Sequence, residues 1–271
     1  MPAVALPRSP LAPEAGPALV HVRERGAGPA VVLLHGGWGY EAYPFDRAIE
    51  ALAPRHRVLA PDRTGYGASG RLPALPRGFH VLMARETVAV LDALGLESAA
   101  LWGHSDGAVV AAWTAILFPA RVRALVLEAL HFFAHKPASV EFFRTAVEAP
   151  ERFGEAVVAA VSRDHGPAWR EVLAAGGRAW LEIIAEGAGG RADLFDGRLP
   201  EVRTPALLLH GRRDPRTEPG EIEAAARALP GARVEWLEAA HSPHTSATAG
   251  ARCLELAAAF LDGAGSSAAR R

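Results

Sequence analysis

Short runs of β-branched and other apolar residues, each bounded by Gly, Pro or Asp, recur along the chain with stretches of helical apolar spacing between them. The runs predict strands at Leu19–Arg23, Ala30–Leu34, Arg57–Ala60, Ala99–Gly103, Ala124–Leu127, Ala206–His210 and Val234–Leu237. Helices are expected over Tyr43–Leu52, Phe79–Leu94, Asp106–Phe118, Glu218–Leu229 and Thr248–Leu261. This alternation predicts an α/β protein with a mostly parallel central sheet and helices on both faces. From His131 to Arg198 no buried-strand run occurs, while Ser139–Glu148, Glu151–Val161 and Ala168–Glu186 keep helical spacing. The expected organisation is a core domain built from residues 1–130 and 199–271, interrupted by a helical cap over 131–198.

Composition narrows the function classes. A chain of 271 residues, 50% hydrophobic, can bury a sizeable core. A net charge of −1 carries no footprint for nucleic acid or for an anionic membrane surface. No apolar run is long enough to span a bilayer, and the N-terminal stretch lacks a basic segment followed by an unbroken apolar one, so a soluble, cytoplasmic chain is expected. The single cysteine, Cys253, lies among Leu254, Leu256 and Phe260 and reads as a small core residue. The oligomeric state is left open.

Gly103-His104-Ser105-Asp106-Gly107 joins a predicted strand to a predicted helix, which is the context that a G-x-S-x-G nucleophile turn requires. A sharp turn there exposes the serine hydroxyl, and side chains two residues to either side would strike the neighbouring strand and helix. Four further segments fall around it in order. His35-Gly36-Gly37-Trp38 ends an early strand, Asp62-Arg63-Thr64-Gly65-Tyr66-Gly67-Ala68-Ser69 forms a turn, and His210-Gly211-Arg212-Arg213-Asp214 and Ala239-Ala240-His241-Ser242-Pro243-His244 each follow a late strand. Together they resemble the oxyanion loop, the D-x-x-G-x-G-x-S turn, the acid loop and the histidine loop of the α/β-hydrolase fold family, from Leu19 to Leu261. The resemblance implies Ser105 as nucleophile, His241 as base and Asp214 as its orienting acid, with backbone N–H groups of Gly37 and Asp106 holding an oxyanion.

His244 competes with His241 for the base, and Glu128, closing an earlier strand, competes with Asp214 for the acid. The side chain of Asp106 has two readings, a solvent-facing acid at a helix N-terminus or a carboxylate at the pocket mouth. In the second, Gly-x-Ser-Asp-Gly resembles the elbow of valacyclovirase-like hydrolases, which would make an amino-acid ester a candidate substrate. Trp38, Tyr40, Phe132, Phe133 and Trp180 are the candidate pocket-lining residues. Gly65–Gly70 matches G-x-G-x-x-G, but Arg71–Pro76 cannot start the helix that a dinucleotide needs. His131 and His135 lack the other ligands of a metal site. The expected protein is therefore a cofactor-free, metal-free serine hydrolase of a small carboxylic ester. Its alternatives are a lactonase, thioesterase, aminopeptidase or carbon–carbon bond hydrolase, or a slow-turnover ligand-binding protein on the same fold.

Overall fold

The computed structural model describes residues 3–268. Eight strands form one sheet: β1 (Ala3–Leu6), β2 (Ala18–Arg25), β3 (Ala30–Leu34), β4 (Arg57–Pro61), β5 (Ala99–His104), β6 (Val122–Glu128), β7 (Ala206–Gly211) and β8 (Arg233–Leu237). Their spatial order is β1-β2-β4-β3-β5-β6-β7-β8. The strands from β4 through β8 pair in parallel, and β1 and β2 add an antiparallel edge. Crossover connections between parallel strands need helices on the faces, and the apolar runs of β3, β5 and β7, buried at every position, are the mark of strands covered on both sides.

The helices are α1 (Asp46–Leu52), α2 (Phe79–Ala93), α3 (Asp106–Leu117), α4 (Val140–Glu148), α5 (Glu155–His165), α6 (Trp169–Ala188), α7 (Glu221–Ala228) and α8 (Gly250–Ala268). On one face, α2 and α3 pack with Leu34, Leu101 and Leu127 in a large apolar cluster. On the other, α1 and α8 enclose Phe45, Ile49, Cys253 and Leu256. The stretch between β6 and β7 holds α4, α5 and α6. Phe143, Val172, Trp180 and Ile184 of this insertion belong to the first cluster, and Val161, Trp169 and Leu173 close around Trp38 in a third. Among the described residues no helix is long and apolar enough to cross a membrane.

Some boundaries differ from the sequence expectation. β1 is absent from it because four residues alternating exposed and buried carry almost no periodic signal; only pairing with β2, Val4 opposite Val20, defines the strand. The second insertion helix begins at Glu155 rather than Glu151, because Pro150–Phe153 forms a 3-10 turn and Gly154 turns the chain at φ 94°. The helix expected from Glu218 starts at Glu221, after Gly220 at φ 74°.

Candidate active site

Ser105 stands between β5 and α3 with φ 56° and ψ −121°, a conformation that costs a non-glycine residue about 1–3 kcal/mol. The turn is enforced by close packing. A Cβ at Gly107 would lie 2.0 Å from the carbonyl oxygen of Leu34, and one at Gly103 would lie 2.1 Å from that of Gly107. The Ser105 N–H donates to the carbonyl of Glu128 at 2.9 Å, tying the turn to the end of β6.

Two loops at the ends of β7 and β8 bring the acid and base candidates to this hydroxyl. His241 Nε2 is 2.9 Å from Ser105 Oγ, and His241 Nδ1 is 2.7 Å from Asp214 Oδ2. A carboxylate only accepts, so Nδ1 carries the proton and Nε2 is free to accept from the serine. The other oxygen of Asp214 accepts the backbone N–H of Arg216 at 2.9 Å.

The competing pair is also together, but elsewhere. Glu128 Oε1 accepts from His244 Nδ1 at 2.7 Å and from the His244 backbone N–H at 2.9 Å, while Oε2 accepts the Trp102 indole N–H at 3.0 Å. Glu128 and His244 thus fasten the loop carrying His241 to β5 and β6. His104, Glu128 and His244 offer ligand atoms within 4.8 Å of one another. The hydrogen bonds of Glu128, together with those of His104 Nε2 to Ser242 Oγ (2.8 Å) and the His241 carbonyl (3.2 Å), account for that cluster as a brace.

A cavity of about 20 Å³, room for about one water, opens on Ser105; Gly37, Trp38, Asp106 and Trp180 line it with Tyr43, His131, Phe142, Phe143, Gly176, Gly177 and Arg216. The Asp106 carboxylate is 3% exposed, so it does not serve as a solvent-facing acid at the start of α3. Its Oδ1 accepts the Trp180 indole N–H at 2.9 Å and lies 3.2 Å from His80 Nε2. Its Oδ2 lies against the Gly36–Gly37 turn, where a Cβ at Gly37 would come within 2.3 Å. Burial pushes the Asp106 carboxyl upward, but the His80 and Trp180 hydrogen bonds and the charge of Arg63 more than offset this and hold it below the usual carboxylate range.

The Asp62–Ser69 turn, recognised in the sequence by pattern alone, supports the His35–Trp38 loop. Buried Arg63 donates to the carbonyls of His35 at 2.6 Å and Gly36 at 2.9 Å. Ser69 Oγ donates to the Asp62 carbonyl at 2.5 Å. In Gly65–Gly70 the N–H of Gly65 closes on the carbonyl of Gly70 at 2.6 Å, and the next helix begins only at Phe79.

Three expected pocket residues lie outside this cavity. Tyr40 is buried in the cluster around α1 and α8, with Arg23 3.9 Å above its ring. Phe132 packs on Phe195 in the core at 6.2 Å, and Phe133 pairs with Asp193; the N–H groups of both are anchored on Glu221. The residue before them points inward instead. His131 Nε2 is 3.3 Å from Ser105 Oγ and the ring stacks on His241 at 5.4 Å. Burial, then the charges of Lys136 and Arg216, keep its imidazole well below the ordinary value and so neutral. His131, Arg216 and Tyr43 were missed because lining depends on side-chain direction at strand ends, which apolar spacing does not encode; the closeness of Arg216 to the Asp214 motif was the one available signal.

The profile of the alpha/beta hydrolase fold family matches residues 29–187, and with the sheet order and elbow described above the chain belongs to that family. It is 34% identical over 136 residues to "Epoxide hydrolase 3" of Siraitia grosvenorii, covering 47% of this chain and 41% of that protein. It is 39% identical over 115 residues to the 2-hydroxy-6-oxo-2,4-heptadienoate hydrolase of Pseudomonas putida, covering 42% and 41%. The matched region thus spans less than half the length of these curated relatives. Among solved structures, a thermophilic esterase from Thermogutta terrifontis superposes with TM-score 0.76 at 22% identity, over 98% of this chain and 100% of that one. The enol-lactonase of Burkholderia xenovorans LB400 superposes with TM-score 0.71 at 20% identity, over 90% and 97%.

Proposed function

We propose that the chain is a serine hydrolase that cleaves a small carboxylic ester through an acyl-enzyme on Ser105. The observation that carries this reading is the relay from Ser105 Oγ to His241 Nε2 at 2.9 Å and from His241 Nδ1 to Asp214 at 2.7 Å. In the proposed reaction Ser105 Oγ attacks the ester carbonyl as His241 accepts its proton. The N–H groups of Gly37 and Asp106 receive the developing oxyanion, and the Asp106 N–H, first in α3, is one of the donors a helix start leaves unpaired. His241 then returns the proton to the leaving alkoxide, and a water deprotonated by His241 hydrolyses the acyl-enzyme. No step requires a metal or cofactor. The insertion at 131–198 acts as a cap whose Phe142, Phe143 and Trp180 roof the cavity.

Relatives named as epoxide hydrolases set a chemical alternative. Opening an epoxide on Ser105 Oγ would leave an ether, which has no carbonyl for water to attack, so a serine here favours acyl chemistry. Lactone, thioester and activated carbon–carbon substrates remain compatible with the same relay and are arms of the test. The amino-ester reading loses support, because the Asp106 charge is already answered by His80, Trp180 and Arg63. A fluorophosphonate probe combined with a panel of nitrophenyl esters, lactones and thioesters tests the proposal. Labelling with multiple turnovers is expected, and Ser105→Ala should lose both, with kcat down by about 10⁶. Turnover preserved in pure Ser105→Ala, or labelling without turnover on any substrate, defeats it, the latter result favouring a ligand-binding protein.

A further inference from the structure

Two charged side chains line the cavity at Ser105, and the protein answers the charge of only one. Asp106 is hydrogen-bonded by Trp180 and His80. Arg216 is 9% exposed, and its guanidinium lies 4.6 Å above the ring of Phe142. Among the described residues that guanidinium enters no hydrogen bond and no ion pair; the one polar contact of Arg216 is made by its backbone N–H, to Asp214. The other buried cations differ. Lys136 is matched by the Glu221 carboxylate, and Arg63 by the carbonyls of His35 and Gly36.

A guanidinium offers five N–H donors in a fixed fork and no acceptor, so its natural partner is an anion or a carbonyl. Arg216 is mostly withdrawn from water and its side chain has no ion pair among the described residues, so a substrate anion can supply the missing counter-charge. Its Cζ sits over the Phe142 ring while its N–H groups have no hydrogen-bond partner among the described residues, and a guanidinium fork binds a carboxylate through two parallel hydrogen bonds.

We propose that Arg216 is a specificity-determining residue that binds a carboxylate of the substrate, so that the preferred substrate is a carboxylic ester bearing a free carboxylate within a few atoms of the scissile carbonyl. The proximity requirement follows from Ser105 and Arg216 sharing one small cavity. This rests on the ester reading above, and it names the substrate class of that same site.

The experiment compares matched esters that differ in charge: mono-p-nitrophenyl succinate against p-nitrophenyl butyrate for a carboxylate on the acyl side, and acetylsalicylate against phenyl acetate for one on the leaving group. For at least one pair the wild type should favour the anionic ester, with a kcat/KM ratio that falls as salt is raised. Arg216→Gln, which keeps the backbone N–H to Asp214, should cut that ratio by about tenfold to a hundredfold, the range of a charge-assisted hydrogen bond; Arg216→Lys should restore part of it. A merely structural arginine would lower both members of a pair equally, and an unchanged ratio in folded Arg216→Gln overturns the proposal, as does a wild type with no anionic preference in either pair. Should Arg216→Gln not fold, the wild-type ratio and its salt dependence decide the same question. Calorimetry on Ser105→Ala with monomethyl succinate and methyl butyrate separates the two readings. Binding of the anion that is lost in Ser105→Ala/Arg216→Gln, with no ester turned over by the wild type, keeps the carboxylate site and discards the esterase. Ester turnover without anion binding or preference does the reverse.

Discussion

At the scale of single residues, the site is built from two histidine–carboxylate pairs whose histidines stand three residues apart and which do different work. Of the two paired histidines, His241 is the one that reaches Ser105; His244 and Glu128 hold the loop. Asp214→Asn should therefore lower kcat by roughly 10⁴, as loss of the orienting acid does in the best-studied triad. Glu128→Gln should act mainly through a lower melting temperature, since it removes the charge that receives two donors of His244. A larger loss of kcat in Glu128→Gln than in Asp214→Asn would transfer the acid to β6. His131 also touches Ser105 Oγ, yet its distance of 3.3 Å is longer and it has no carboxylate behind it. His131→Phe is expected to keep kcat within about tenfold of wild type, below the usual reach of a general base; stopped-flow acylation rates would check this. The elbow and its partner loops were readable because each is a run of contiguous residues whose types are dictated by backbone sterics and proton transfer. Tyr40, Phe132 and Phe133 were misplaced because an aromatic beside a motif has two faces of the chain to choose from, and local sequence does not choose.

At the scale of elements, the junction between β6 and the insertion is held by a buried pair. Lys136 and Glu221 both have fully buried side chains and are directly hydrogen-bonded, and Glu221 also accepts the N–H groups of Phe132, Phe133 and Glu218. One carboxylate thus joins the segment behind His131 to the start of α7. Removing one partner leaves an unanswered buried charge, so Lys136→Met should cost about 3–5 kcal/mol of stability, read as a shift of the urea midpoint. A shift below about 1 kcal/mol would mean that water reaches Glu221 and the junction is loose. The helices of the insertion were legible from their spacing, apart from the 3-10 turn ahead of α5, where Pro150 and Gly154 override it. The pairing of the chain's single lysine with an acid 85 residues away was not, because nothing local marks either partner.

For the whole molecule, buried neutral histidines set the response to acid. His35, His104 and His131 each titrate well below the ordinary imidazole value of 6.5, in every case chiefly through burial. Unfolding frees each ring to protonate below pH 6.5 while the folded state stays neutral, so the unfolded chain binds more protons and stability rises with pH across that window. The contribution is complete above pH 6.5 and is lost as pH falls from there toward the depressed folded values. Buried Glu86, raised above 4.5, works oppositely just above that pH, since there the folded state holds the extra proton. Stability measured by urea unfolding should therefore decline below pH 6.5, by up to about 1.4 kcal/mol per pH unit for each histidine involved. His131→Phe should shallow that slope by one proton; an unchanged slope would mean that His131 titrates normally in the folded protein.

The pattern of the chain by itself determined the α/β class, the strand and helix alternation, the helical interruption and the order of the loops that carry Ser105, Asp214 and His241. Each of these follows from short-range rules: the period of apolar side chains, the steric demands of a strand-to-helix turn, and the residue types a proton relay needs. Only the tertiary structure decided which histidine meets Ser105, that Asp106 turns inward onto Trp180 and His80, that β1 pairs at the sheet edge, and that Arg216 lines the cavity with no ion pair among the described residues. Those outcomes depend on where side chains from distant segments point after the sheet has closed the distance between them, and burial, which sets the value of every charge in the site, exists only once that has happened.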